Sequence, residues 1–252
     1  MMVHVMVGLV PCLAGAVYLF GLRALVLALF VSALGIVTEG CFTLRQGKPI
    51  TSAVLVTSLI FVLSLPPNIP FWMAAVGIVF AVVFGKMVFG GFGFNAFNPA
   101  MVGRCFIYIA FPMAMTNQWF DPFPGTPGGF AEWSPAVDAV TGATPLQVLR
   151  EGGSIPLERL LAGTYTANPL YWICAGSFLF GAFFVATEPI TAPKNKSVQW
   201  VYGFIIGSLI MVFRQYSSFS EGVMFSVLFM NIFAAVMDVG AREWKGRDNK
   251  AS

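Results

Sequence analysis

The chain has 252 residues, 58% of them apolar and 10% charged, with 14 Lys and Arg against 11 Asp and Glu, and its mean hydropathy is +0.81. This composition excludes an ordinary soluble domain, and no nucleic-acid partner is expected. His4 as the single histidine excludes a bis-His haem. Cys12, Cys41, Cys105 and Cys174 form no C-x-x-C pair, which speaks against an iron–sulfur cluster held by this chain alone.

In chain order, apolar runs occupy 3–22, 24–38, 51–65, 70–89, 99–116, 168–187, 199–213 and 222–240. A helix needs ~20 apolar residues to cross the hydrocarbon layer, so the expected fold is all-α and integral to the membrane, with about eight transmembrane helices. The first run has neither a basic lead-in nor a small-residue cleavage site, so no cleavable leader is expected. Arg23 separates the first two runs and Glu39 to Lys48 the next pair. The corner Pro66-Pro67-Asn68-Ile69-Pro70 divides the third from the fourth, because the ring removes a donor and restricts the preceding residue.

Threading the runs alternately places Arg45, Lys48, Lys86, Lys194, Lys196, Arg242, Lys245, Arg247 and Lys250 on one side, opposite Arg23, Arg150, Arg159 and Arg214. Nine basic residues against four predict cytoplasmic termini by the positive-inside bias. The long polar stretch from Asn117 to Ala167 then faces outward. It carries Asp121, Glu132, Asp138, Glu151 and Glu158 against two arginines, five of the eleven acidic residues. Solubility is the ordinary account of most of them.

Two segments interrupt the apolar pattern, Lys86 to Ala100 and Arg214 to Gly222. Such breaks are either surface loops or the paired discontinuities of inverted-repeat transport folds, whose ion sites lie near the midplane. Arg104 lies inside the fifth run, Glu188 ends the sixth and Asp238 the last. Charges there suit an ion path or the interface. Trp72, Trp119, Trp172, Trp200 and Trp244 fall near run ends, as interfacial anchors do.

Within the polar stretch lies Asp138-Ala139-Val140-Thr141-Gly142-Ala143-Thr144-Pro145. Gly142 and Ala143 leave the Thr144 hydroxyl accessible for a phosphate-linked group, while Thr144 is equally suited to N-cap a helix beginning at Pro145. Other signatures are Leu63-Ser64-Leu65-Pro66-Pro67 with Pro70 and Trp72, Gly85-Lys86 with Phe89-Gly90-Gly91 and Asn95, and Asn98-Pro99-Ala100 with Gly103-Arg104. Gly181 to Pro189 and Glu221-Gly222 with Asn231 complete the set. In this order they resemble the B subunit of the sodium-translocating NADH:quinone reductase and the homologous D subunit of the Rnf electron-transport complex.

That resemblance implies FMN carried through a phosphoester on Thr144, within a pattern formed by Asp138, Thr141, Gly142 and Ala143, and installed by a flavin transferase. It implies a membrane subunit of a redox-driven Na+ or H+ pump in the bacterial inner membrane, with the flavin loop extracytoplasmic. Its partners would be the other subunits of the complex, including a flavin-carrying one, together with membrane lipid. Riboflavin and quinone lie further along the route in the family. Glu188 and Asp238 match acidic positions linked to the ion path, Glu188 standing where Asp is usual.

The chain also departs from the family. Members have about ten spans in two five-helix inverted repeats, and their G-N-I-x-G-S-x-G-E-T/S stretch has no counterpart between Glu151 and Asn168. Met87 holds a position that is Glu or Gln in many members. The expected organisation is therefore one membrane domain, 1–252: a five-helix repeat (1–116), an external flavin-bearing loop (117–167) and a shortened second repeat (168–252). Competing readings are a passive channel, since Asn98-Pro99-Ala100 resembles the aquaporin half-helix motif, and a scaffold subunit without catalysis.

Overall fold

A computed structural model describes residues 2–47, 49–117, 128–134, 178–216 and 221–251. Among these every regular element is helical and no strand occurs. The chain divides into two units, Met1–Thr141 and Gly142–Ser252, the boundary falling within the 117–167 stretch.

The first unit contains α1 (Met2–Phe20), α2 (Leu22–Thr43), α3 (Ala53–Leu63), α4 (Phe71–Val82), α5 (Pro99–Ala110) and α6 (Pro112–Asn117). α2 continues as a 3-10 turn to Gln46, and α4 as a π turn, Val83–Met87. The fifth apolar run breaks at Phe111 because Pro112 disfavours a helical residue before it; Phe111 takes φ −133°, ψ 60°.

Met2–Phe20 and Leu22–Gln46 are long and apolar enough to cross a membrane, whereas Ala53–Leu63, Phe71–Met87 and Pro99–Ala110 are shorter apolar helices. At 1.5 Å per residue these three reach roughly 16 to 26 Å, short of the ~30 Å hydrocarbon layer. Three of the eight expected runs are thus shorter helices than a full span.

α2 packs on α1, α3 and α4, and α4 packs on α5. Leu27, Val31, Phe61, Ile78, Val82 and Ile107 are buried between them. Small residues permit the close approach, since a Cβ on Gly103 would stand 2.7 Å from both the Ala81 Cβ and the Gly77 carbonyl oxygen.

At one end of this unit the polar stretch docks on the α1–α2 corner. Leu22 and Arg23, whose N–H groups open α2 without helical partners, donate to the Glu132 and Trp133 carbonyls at 2.9 Å each. Gly21 allows this with φ 88°, and a Cβ there would meet both carbonyl oxygens at 2.8 Å. The Arg23 guanidinium donates to Asn68 Oδ1 and, at 2.8 Å, to the Ile69 carbonyl, and lies 5.4 Å from the Phe71 ring centroid. Residues 128–134, the α1–α2 corner and the Pro-rich corner therefore share one end of the unit. The α2–α3 connection and the π turn lie at the other.

In the second unit the helical segment Phe178–Phe180 passes into a π turn, Gly181–Val185. A non-helical stretch, 186–195, leads to α7 (Lys196–Tyr216), followed by α8 (Gly222–Ala251). Lys196–Phe213 and Gly222–Glu243 are long and apolar enough to cross a membrane. With four such helices among the described residues, the chain is a multi-pass membrane protein. Phe213 meets Phe225, Tyr202 meets Asn231, and the backbone at Lys194 and Asn195 meets Asp238, so α7 and α8 run antiparallel. The sixth apolar run is described only from Phe178 onward, and 217–220 lies outside the described residues.

Candidate functional site

Three polar groups converge where α2, the start of α3 and the π turn after α4 meet. Lys86 Nζ donates to Glu39 Oε2 at 2.6 Å and to Thr51 Oγ1 at 2.8 Å. Glu39 Oε1 accepts the Thr51 hydroxyl at 2.7 Å and its backbone N–H at 3.1 Å. The Lys86 and Glu39 side chains are only 3% and 1% exposed.

The arrangement balances its own electrostatics. Glu39 sits in the last two turns of α2, where the helix carbonyl ends already carry partial negative charge and a carboxylate is disfavoured. A buried cation and two donors offset that cost. The π turn, closed by Val88 N–H donating to the Val83 carbonyl at 2.9 Å, carries Lys86 into the cluster, and Gly85 lets it pack against Pro99, where a Cβ would stand 2.8 Å from Pro99 Cα.

Counting Lys86 among the topology charges, and Glu39 among the loop residues, is corrected by this pairing. α2 runs past Glu39 and α4 is prolonged through Lys86, so both residues belong to packed helix ends; eight of the nine basic residues then remain on that side. The signal was present as a lone lysine within the apolar run 70–89, but its partner was not.

Beyond the π turn, Gly90, Gly91 and Gly93 take positive φ, forming the turn that reverses the chain toward α5. Asn98 caps that helix, its Oδ1 accepting from Ala100 N–H at 3.0 Å and Met101 N–H at 3.3 Å, with Pro99 in the first turn. Asn-Pro-Ala thus forms a capped helix start. Arg104, on α5, is buried.

A second polar group lies in the other unit. Thr191 Oγ1 donates to Glu188 Oε2 at 3.0 Å, and the Tyr202 hydroxyl donates to Asn231 Oδ1 at 2.9 Å. Thr191, Tyr202 and Asn231 are all buried. Neither Tyr202 nor Thr191 was singled out in the sequence, because a Tyr and a Thr in apolar surroundings carry no motif. Asp238 is engaged differently, its two oxygens accepting the Lys194 and Asn195 N–H groups at 2.8 and 3.1 Å. Glu188 and Asp238 thus have separate partners. Asp138, Thr141, Gly142, Ala143 and Thr144 lie outside the described residues.

A family profile described as NQR2, RnfD, RnfE family matches residues 1–165 and 152–244. The chain belongs to this NQR2, RnfD, RnfE family. Among curated relatives, the D subunit of the ion-translocating oxidoreductase complex of Actinobacillus succinogenes is 30% identical over 94% of this chain and 90% of its own length. Its counterpart from Alcanivorax borkumensis is 30% identical over 90% of the chain and 86% of its own length. The B subunit of the Na(+)-translocating NADH-quinone reductase of Ectopseudomonas mendocina is 34% identical over 79% of the chain, which spans 62% of that protein. The first of these alignments extends over 321 positions, more than the 252 residues of this NQR2, RnfD, RnfE family member. Segments of the relative therefore face gaps here.

Proposed function

We propose that this chain is a membrane subunit of an Rnf- or Nqr-type ion-translocating oxidoreductase, that it carries FMN on Thr144, and that it passes electrons through the membrane in step with Na+ or H+ movement. The observation that carries this reading is the Asp138-to-Thr144 run in a member of a family whose relatives are named as subunits of such complexes. The donor chemistry fits: Thr144 offers a hydroxyl for a phosphoester, and Gly142 and Ala143 add little bulk beside it. A flavin attached there supplies one- and two-electron transfer at high effective concentration.

The chain's own part is to hold that group on the outer face, with both termini cytoplasmic, and to provide charged positions within the membrane domain. Glu39, Lys86 and Glu188 are such positions. Asp238 belongs to the same reading through its backbone clamp. Neighbouring subunits, one of them flavin-bearing, supply the electrons, and riboflavin and quinone complete the route. A flavin transferase matures the subunit.

Production of the protein together with its flavin transferase tests the reading. A denaturing gel is expected to show a fluorescent band that disappears with Thr144→Ala. A wild-type band lacking covalent flavin overturns the assignment.

A further inference from the structure

We propose that the Lys194–Lys196 end of the second unit holds one anionic phospholipid of the phosphatidylglycerol class, with its headgroup at Lys194, Lys196 and Arg242 and an acyl chain along Trp200 and Phe204. All three basic side chains are exposed. Lys194 lies in the bend that enters α7, Lys196 opens that helix, and Arg242 stands one turn beyond Asp238 on α8. Asp238 joins the two helices here, because its oxygens accept the Lys194 and Asn195 N–H groups at 2.8 and 3.1 Å. That clamp gathers the three cations at one end of the α7–α8 pair.

The charge at this end is in excess. Residues 188–200 and 238–251 contain Lys194, Lys196, Arg242, Lys245, Arg247 and Lys250 against Glu188, Asp238, Glu243 and Asp248. Two of those acids are already engaged by neutral donors, Asp238 by backbone N–H groups and Glu188 by the Thr191 hydroxyl. Glu243 is exposed beside Arg242 and leaves the lysines across the clamp unopposed. An approaching phosphate therefore meets net positive charge.

Helical register supplies the second half of the fit. Lys196, Trp200 and Phe204 recur every four residues and share one face of α7. The buried positions Val198, Tyr202, Ile206 and Ile210 occupy another face, where Tyr202 bonds to Asn231 of α8. Trp200 is 83% exposed and Phe204 78%, so α8 covers neither ring. They stand roughly 6 and 12 Å beyond Lys196 along the helix, within the ~15 Å of hydrocarbon that one leaflet contributes. In order of depth the face presents an ammonium, an indole and a phenyl ring, which match the phosphate, the glycerol ester region and the acyl chain of a phospholipid. A water-soluble acidic partner would meet the lysines and leave both rings bare. A zwitterionic lipid would cover the rings but bring its own cation against Lys196. Charge and stripe together select the anionic lipid.

The test uses the full chain, purified with the subunits it assembles with and reconstituted in phosphatidylcholine vesicles. A minor fraction of the lipid is brominated phosphatidylglycerol or, separately, brominated phosphatidylcholine, whose bromines quench nearby indoles. The difference between the wild type and Trp200→Phe isolates the signal of Trp200. Brominated phosphatidylglycerol is expected to quench it at about one-tenth of the mole fraction that brominated phosphatidylcholine needs. Combined Lys194→Gln, Lys196→Gln and Arg242→Gln substitutions abolish that preference, as does salt well above the physiological level. Arg45→Gln, at an exposed position of the first unit, leaves it unchanged. Equal quenching of the wild type by the two lipids overturns the proposal, and so does a preference that survives the triple substitution or high salt. The salt arm needs no substitution and decides the matter if the triple variant fails to assemble. Quenching by neither lipid shows the face covered by a neighbouring subunit and overturns the proposal as well.

Discussion

The Lys86 ammonium lies 2.6 Å from the Glu39 carboxylate, and neither side chain is more than 3% exposed. Forty-seven positions separate them in the chain. Removing one partner leaves a buried charge uncompensated, so Lys86→Met or Glu39→Met alone is expected to cost about 3–5 kcal/mol. The double substitution, which removes both charges, recovers much of that loss. Thermal unfolding of the detergent-solubilised protein measures it, and a double-variant loss equal to the sum of the singles refutes the pairing.

Asn98 contributes through its side-chain oxygen, which caps α5. Asn98→Ala is expected to destabilise the protein by about 0.5–2 kcal/mol, while Asn98→Asp retains the cap. Equal melting temperatures for the two variants contradict this role.

Gly103 faces the Gly77 carbonyl and Ala81 across the α4–α5 contact, where no flexible side chain can yield. Gly103→Ala is expected to cost about 1–3 kcal/mol through overpacking. The check is a lowered melting temperature. An unshifted one shows that the helices have room to part.

Asp238 clamps the entry to α7, next to the exposed Lys194 and Lys196. Asp238→Ala is expected to speed limited tryptic cleavage after those lysines several-fold, without altering cleavage elsewhere. Cleavage at the wild-type rate leaves the clamp without consequence.

Much of the helical layout was legible in the sequence. The Pro-rich corner, the break after Lys86 and the apolar runs at both ends of the chain all act locally, through missing donors, restricted torsions and transfer free energy. The split at Phe111 was equally local, yet it passed as part of one run because hydropathy does not register a proline. The candidate site was legible only in part. Glu188 and Asp238 stood out as acids at run ends, but nothing near Asp238 announced that its oxygens hold two backbone N–H groups. Tyr202 and Asn231, 29 positions apart, had no shared motif.

Sequence by itself determined that this is a helical membrane protein and that it resembles one redox-pump family, and it supplied the run around Thr144 on which the flavin proposal rests. These properties reside in composition and in short contiguous stretches. Tertiary structure decided which charges are surface anchors and which are buried partners. A lysine in an apolar run has the same hydropathy whether it snorkels to water or meets a carboxylate. Only the packing of α2, α3 and α4 brings Glu39 and Thr51 within hydrogen-bond distance of Lys86.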